Sequence, residues 1–218
     1  MKKYFILFVL FFIFCSSTCK MLVPVVQRWP GGRVVYYFQS SFTESEKQTV
    51  KTYMKEWEYG TKVKFVECVT CQDDVFVLQI RKDRDRENLS SESYVGFGLF
   101  PSMKFGVMSQ AIIIHELGHV IGLLHEHQRP DRNIYITVQY ENVAPEDRFC
   151  FELRPEYDFL YKYRKFPYDY NSVMHYSNYS FSINGQPVIL SPVAIGNILP
   201  SSIDIAKVIE IYGKPKKM

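Results

Sequence analysis

Histidine and cysteine are both scarce in this chain, five of each in 218 residues, and there are only two tryptophans. An excess of charge of either sign is also missing. A formal net charge of +3 gives no basis for a nucleic-acid partner. The one CxxC, from Cys68 to Cys71, has no second half, so a local disulfide is a stronger reading than half a metal site. No internal repeat, low-complexity tract or linker divides residues 20–214, and one domain is expected. Long apolar runs are absent except at the start. There Tyr4–Phe14 spans about eleven residues, short of the ~20 that cross a bilayer.

That run follows Lys2 and Lys3 and is followed by small residues, with Ser17 and Cys19 suited to cleavage after Cys19. Residues 1–19 therefore read as a secretory signal, which makes the protein secreted and extracellular, free of the membrane once cut, and a monomer by expectation. Cleavage would leave Cys68, Cys71 and Cys150, an odd number, so one thiol is free or paired between chains. In that compartment Asn88 and Asn178, each in an Asn-x-Ser sequon, are candidate glycosylation acceptors.

Regular elements are concentrated in the first half. RVVYYF, KVKFVE and DVFVLQI read as strands, and WPGG before the first is a turn signal. Thr43-x-x-Glu46 is a capping box; Val50, Met54 and Trp57 then recur at helical spacing up to Gly60. SQAIIIHELGHVIG is an apolar helix closed by Gly122. Beyond it the chain is rich in Tyr, Pro and Asn and weakly periodic, until the short helix SIDIAKVIEIY and a basic tail, residues 215–218. The expected class is α+β, with an ordered N-terminal half, an irregular C-terminal half and a cleft between them.

Four of the five histidines crowd into HELGHVIGLLHEHQRPDR. His115 and His119, four apart on a helix, project from one face and can share a metal ion. Glu116 lies between them, placed to reach a metal-bound water. Gly122 can turn the chain after the second ligand, and His125 then returns as a third nitrogen. Three protein ligands leave a coordination position open, which is the layout of a catalytic zinc site (one Zn2+ per chain) and not of a closed structural one. His127 and His175 carry no spacing argument and read as hydrogen-bonded structural residues. Met174, in SVMHY, suits packing beneath the site, and Tyr176 can approach the metal and later donate to a developing oxyanion.

HELGHVIGLLHEHQRPDR together with PYDYNSVMHY resembles the astacin family of metzincin zinc endopeptidases, and the likeness runs from RWPGGRVVYYF to IDIAKVIEIYG. The resemblance implies a two-subdomain zincin-like fold, with a twisted N-terminal sheet, an active-site helix and an irregular C-terminal subdomain. It implies His115, His119 and His125 as zinc ligands, Tyr176 as a displaceable further ligand, Glu116 as general base and Met174 as the Met-turn residue. Glu126 would engage the buried N-terminus of the mature chain, and Arg129 and Asp131 would form a salt-bridge cluster. Proteins and peptides would be the substrates.

The chain departs from that pattern in two respects. The four positions where the family places disulfide cysteines hold Lys62, Ser91, Val107 and Lys214, which by the family pairing would face one another as Lys62–Lys214 and Ser91–Val107. Each bridge typically contributes about 2–4 kcal/mol, which this fold must find elsewhere. Little also separates the signal from the catalytic domain: Lys20–Gln27 matches the length of a mature N-terminal segment, so signal cleavage itself is expected to create the mature N-terminus, without zymogen latency. These losses keep a second reading open, a catalytically weak or inert secreted binding or toxin-like protein on the same scaffold.

Overall fold

The computed structural model describes residues 27–82, 91–154 and 163–215. The expected signal segment, the Asn88 sequon and most of the basic tail lie outside them.

A five-stranded sheet forms one layer. β1 (Arg33–Phe38), β2 (Lys64–Glu67), β3 (Leu78–Lys82), β4 (Glu92–Ser93) and β5 (Ser102–Phe105) are ordered β2-β1-β3-β5-β4. All neighbours are parallel except β4, which runs antiparallel to β5 and forms an edge. Strand alternation turns Val34 and Tyr36, Leu78 and Ile80, and Met103 and Phe105 into the core. Against this face pack α1 (Glu44–Glu58) and α2 (Gln110–Val120). The Thr43–Glu46 capping box is formed in both directions, and Val50, Met54 and Trp57 are the buried stripe of α1. DVFVLQI is only partly strand: Asp74 bends the chain by accepting from the Phe76 and Val77 amides, so pairing begins at Leu78.

Among the described residues, the stretch after α2 is mainly a string of 3₁₀ turns with one short ribbon, β6 (Thr137–Val138) against β7 (Ile189–Leu190). It has its own small core around Ile136, Phe151, Val188 and Ile189. The last helix, α3 (Ser202–Tyr212), instead sends Val208 and Ile211 into the N-terminal core. Among the described residues no helix is long and apolar enough to cross a membrane.

The positions that lack the family's cysteines still face each other. The Ser91 hydroxyl lies 3.2 Å from the Val107 carbonyl, and the Lys62 amide donates to Gly213 O at 3.2 Å, next to Lys214. Hydrogen bonds replace the covalent links there. Cys68 and Cys71 are disulfide-bonded to each other, and Cys150 is a free thiol.

Candidate metal centre

Helix α2 is apolar nearly all round, and its C-terminal carbonyls are taken up by the turn that follows it and by two long-range partners. Leu117 O accepts from Ile121 N, Gly118 O from Leu123 N, His119 O from the Gly96 and Gly122 amides, and Val120 O from the Trp29 indole at 2.7 Å. Gly122 has a φ of 98°, a region that L side chains rarely adopt, and it reverses the chain as the sequence predicts. His125 thereby returns to the face carrying His115 and His119.

The three imidazoles converge. Their ligand nitrogens lie within 4.8 Å of one another, with His115 Nε2 3.1 Å and His119 Nε2 3.0 Å from His125 Nε2. Every Nδ1 has an acceptor: Val173 O at 2.8 Å for His115, Leu123 O at 2.8 Å for His119, and Gln128 Oε1 at 3.1 Å for His125. Protons on Nδ1 leave three bare Nε2 lone pairs aimed at one point, an arrangement that repels itself unless a cation sits there. Metal–nitrogen bonds of about 2.0–2.1 Å at tetrahedral angles would separate ligand nitrogens by about 3.3 Å, close to the observed spacing. Burial disfavours the charged form of all three rings and takes His119 down to about 3, so they are neutral and ready to ligate at ordinary pH. The donor set fits a tetrahedral borderline-soft ion such as zinc, with one position left open.

Glu116 lines the same cleft as the three imidazoles. Its carboxylate Oε2 lies 2.7 Å from the Ser93 hydroxyl on the edge strand β4. Burial raises its pKa to about 7, opposed by the Ser93 hydrogen bond and assisted by Glu92. Ser93 is a residue that sequence reasoning missed, because no spacing links it to a helix 23 positions away. Both line a cleft of about 730 Å³ with the three histidines, and its far wall is Tyr176, Cys150 and Arg154 from the C-terminal half. The Tyr176 ring lies 4.5 Å from the His125 ring and stacks on His127 at 4.1 Å. His127 is hydrogen-bonded to Cys150 O and His175 to the Tyr168 hydroxyl and Tyr176 O, so both occupy positions outside the metal-ligand group.

Met174 lies under the site, and Gly118 is the second missed residue. A Cβ on Gly118 would sit 2.5 Å from Met174 Sδ and 3.1 Å from Trp57 Cζ2, both in the closed core. Gly118→Ala is therefore expected to cost about 1–3 kcal/mol by overpacking. Urea unfolding checks it, and a midpoint equal to the parent's would mean that Met174 gives way freely. Glu126 is fully buried: Oε1 accepts from Arg129 Nη1 (2.8 Å) and the Asp169 amide (2.9 Å), and Oε2 from Lys207 Nζ (2.5 Å). The N-terminal segment expected to meet it lies outside the described residues. Arg129 also forks onto Asp131, the salt-bridge cluster that the resemblance implies. The Asn178 side-chain amide donates to Ile189 O at 2.8 Å and is partly buried.

Comparisons with known proteins agree with this geometry. The family model for astacin, a peptidase family, matches residues 22–213. Similar proteins include the zinc metalloproteinase nas-7 of Caenorhabditis elegans, 31% identical over 193 residues, covering 86% of this chain and 48% of that protein. The astacin-like metalloendopeptidase of Gallus gallus is 32% identical over 197 residues, covering 84% of this chain and 46% of that protein. The chain thus spans about half the length of these relatives. Among solved structures, high choriolytic enzyme 1, a hatching-enzyme zinc protease of the medaka fish Oryzias latipes, superposes with a TM-score of 0.70 at 25% identity, covering 89% of this chain and 97% of that one. By motif, site geometry and family model together, this chain belongs to the astacin family.

Proposed function

We propose that the chain is a secreted zinc-dependent endopeptidase acting as a monomer on proteins and peptides, with residues 1–19 as its signal and 20–214 as its catalytic domain. The observation that carries this reading is the convergence of three Nδ1-anchored imidazoles with Glu116 on one wall of an open cleft.

Held by His115, His119 and His125, zinc would supply the Lewis acidity that polarises a scissile carbonyl and acidifies a water. Glu116 takes the proton of the attacking water and returns it to the leaving amine nitrogen, a double duty suited to a carboxyl poised near neutrality. Ser93 keeps that carboxylate in one orientation. The Tyr176 hydroxyl donates to the oxyanion of the tetrahedral intermediate. Burial pushes the phenol pKa up, so it stays protonated and able to donate. An extended peptide pairs with the outer edge of β4, which brings its backbone across the cleft beside Glu116.

The test is cleavage of an unfolded protein by the purified full chain. A zinc chelator is expected to abolish cleavage and added zinc to restore it. Cleavage that survives complete removal of the metal would refute the reading. Stoichiometric zinc with no cleavage of any unfolded substrate would favour the inert binding protein instead.

A further inference from the structure

Helix α3 contributes nothing to the walls of the cleft, yet it reaches both sides of the metal centre from behind. Two residues three apart on its buried face do this. Asp204 accepts from the Ser172 hydroxyl (2.7 Å) and the Val173 amide (3.0 Å), and the Val173 carbonyl is the acceptor for His115 Nδ1. Lys207 donates to Glu126, which directly follows His125 and whose own amide is tied to Met174 O at 3.0 Å. One turn of α3 thus holds the carbonyl that orients the first ligand and the carboxylate beside the third.

Lys207 is the unexpected member. It is 2% exposed, on a helix whose other buried residues are Asp204 and the apolar Val208 and Ile211. An ammonium taken out of water costs several kcal/mol, and an aliphatic side chain would fill the same space without that cost. Its cation meets the fully buried Glu126, whose other oxygen is bound by Arg129 and the Asp169 amide. With all three contacts made, the carboxylate has no freedom to rotate, and the 3₁₀ turn Glu126–Gln128 is pinned with it. Gln128, in that same turn, is the acceptor that orients His125 Nδ1.

We propose that Lys207 is a positioning residue for the metal centre, acting through Glu126 on the turn that presents and orients His125. The proposal rests on the zinc reading above and deepens it. Partners that orient metal-bound histidines typically carry roughly 10–100-fold in metal affinity.

The experiment measures zinc affinity of the purified full chain by competition with a chromophoric chelator, and the visible spectrum after cobalt(II) substitution. Lys207→Met is expected to weaken zinc by roughly 10–100-fold, to shift the cobalt bands, and to lower kcat with KM little changed. Glu210→Gln, a change on the same helix that removes an exposed ion pair to Lys165 in the turn Tyr163–Lys165, is expected to leave all three unchanged. If Lys207→Met does not fold, Lys207→Gln keeps a donor toward Glu126 without the charge and is expected to weaken zinc in the same direction. A folded variant with zinc affinity within about twofold of the parent and an unshifted cobalt spectrum would overturn the proposal, however much its stability had fallen. Failure of the parent chain itself to bind zinc or cobalt would instead refute the reading on which the proposal rests.

Discussion

Glu116→Gln is expected to keep its full complement of zinc and to lose peptidase activity by a factor of roughly 10²–10⁴. The substitution preserves volume in a nearly closed position, where Glu116 is 5% exposed, and it retains an oxygen able to accept from Ser93. The three imidazoles are oriented by Val173, Leu123 and Gln128, none of which depends on the Glu116 carboxylate. What the amide cannot do is take a proton. The working base is the ionised carboxylate, so parent activity should fall as pH drops through its pKa, which burial raises toward 7 and which a nearby dication draws down. That acid limb should be missing from whatever activity the variant retains. Zinc stoichiometry and a pH profile of kcat/KM check both halves. Near-parental turnover would remove Glu116 from the mechanism; lost zinc would make it a support of the metal and not a base.

The largest loss of stability is expected from Glu126→Ala, about 3–5 kcal/mol in urea or thermal unfolding. Removing this carboxylate leaves Lys207 and Arg129 buried, at 2% and 1% exposure, with their shared counter-charge gone. Arg129 keeps Asp131, but the Asp169 amide loses its acceptor, and a cavity opens between α3 and the turn after His125. Breaking one side of a buried ion network is costly because the remaining charges lose a close opposite partner and cannot recover water. A loss below about 1 kcal/mol would mean that solvent enters and resolvates the two cations.

Much of the site can be read without coordinates because helical geometry is local. HExxH puts His115 and His119 on one face, Gly122 supplies the reversal, and His125 follows at a distance that closes the triad. The capping box at Thr43 and the buried stripe of α1 obey the same short-range rule. The strands were less legible. β4 has two residues, too few for any alternation to register, and β5 passes in a glycine- and proline-flanked stretch without a clear strand signal. The turn headed by Asp74 displaced the start of β3, since an Asx turn competes with extended backbone wherever its side chain can reach.

By itself, then, the sequence determined which residues can ligate a metal and which carboxylate stands beside them, since neighbours three and four positions apart on a helix need no knowledge of the rest of the chain. Only the tertiary structure decided what holds them in place. The Val173 carbonyl behind His115 is 58 positions away, and Lys207 is 81 positions from Glu126. The Cys68–Cys71 disulfide is the local pairing that the lone CxxC favours, but only the fold places Cys150 against the cleft as a free thiol. Such long-range placements depend on how whole elements pack. A buried ammonium and a buried carboxylate look in sequence like two surface charges until the fold encloses both.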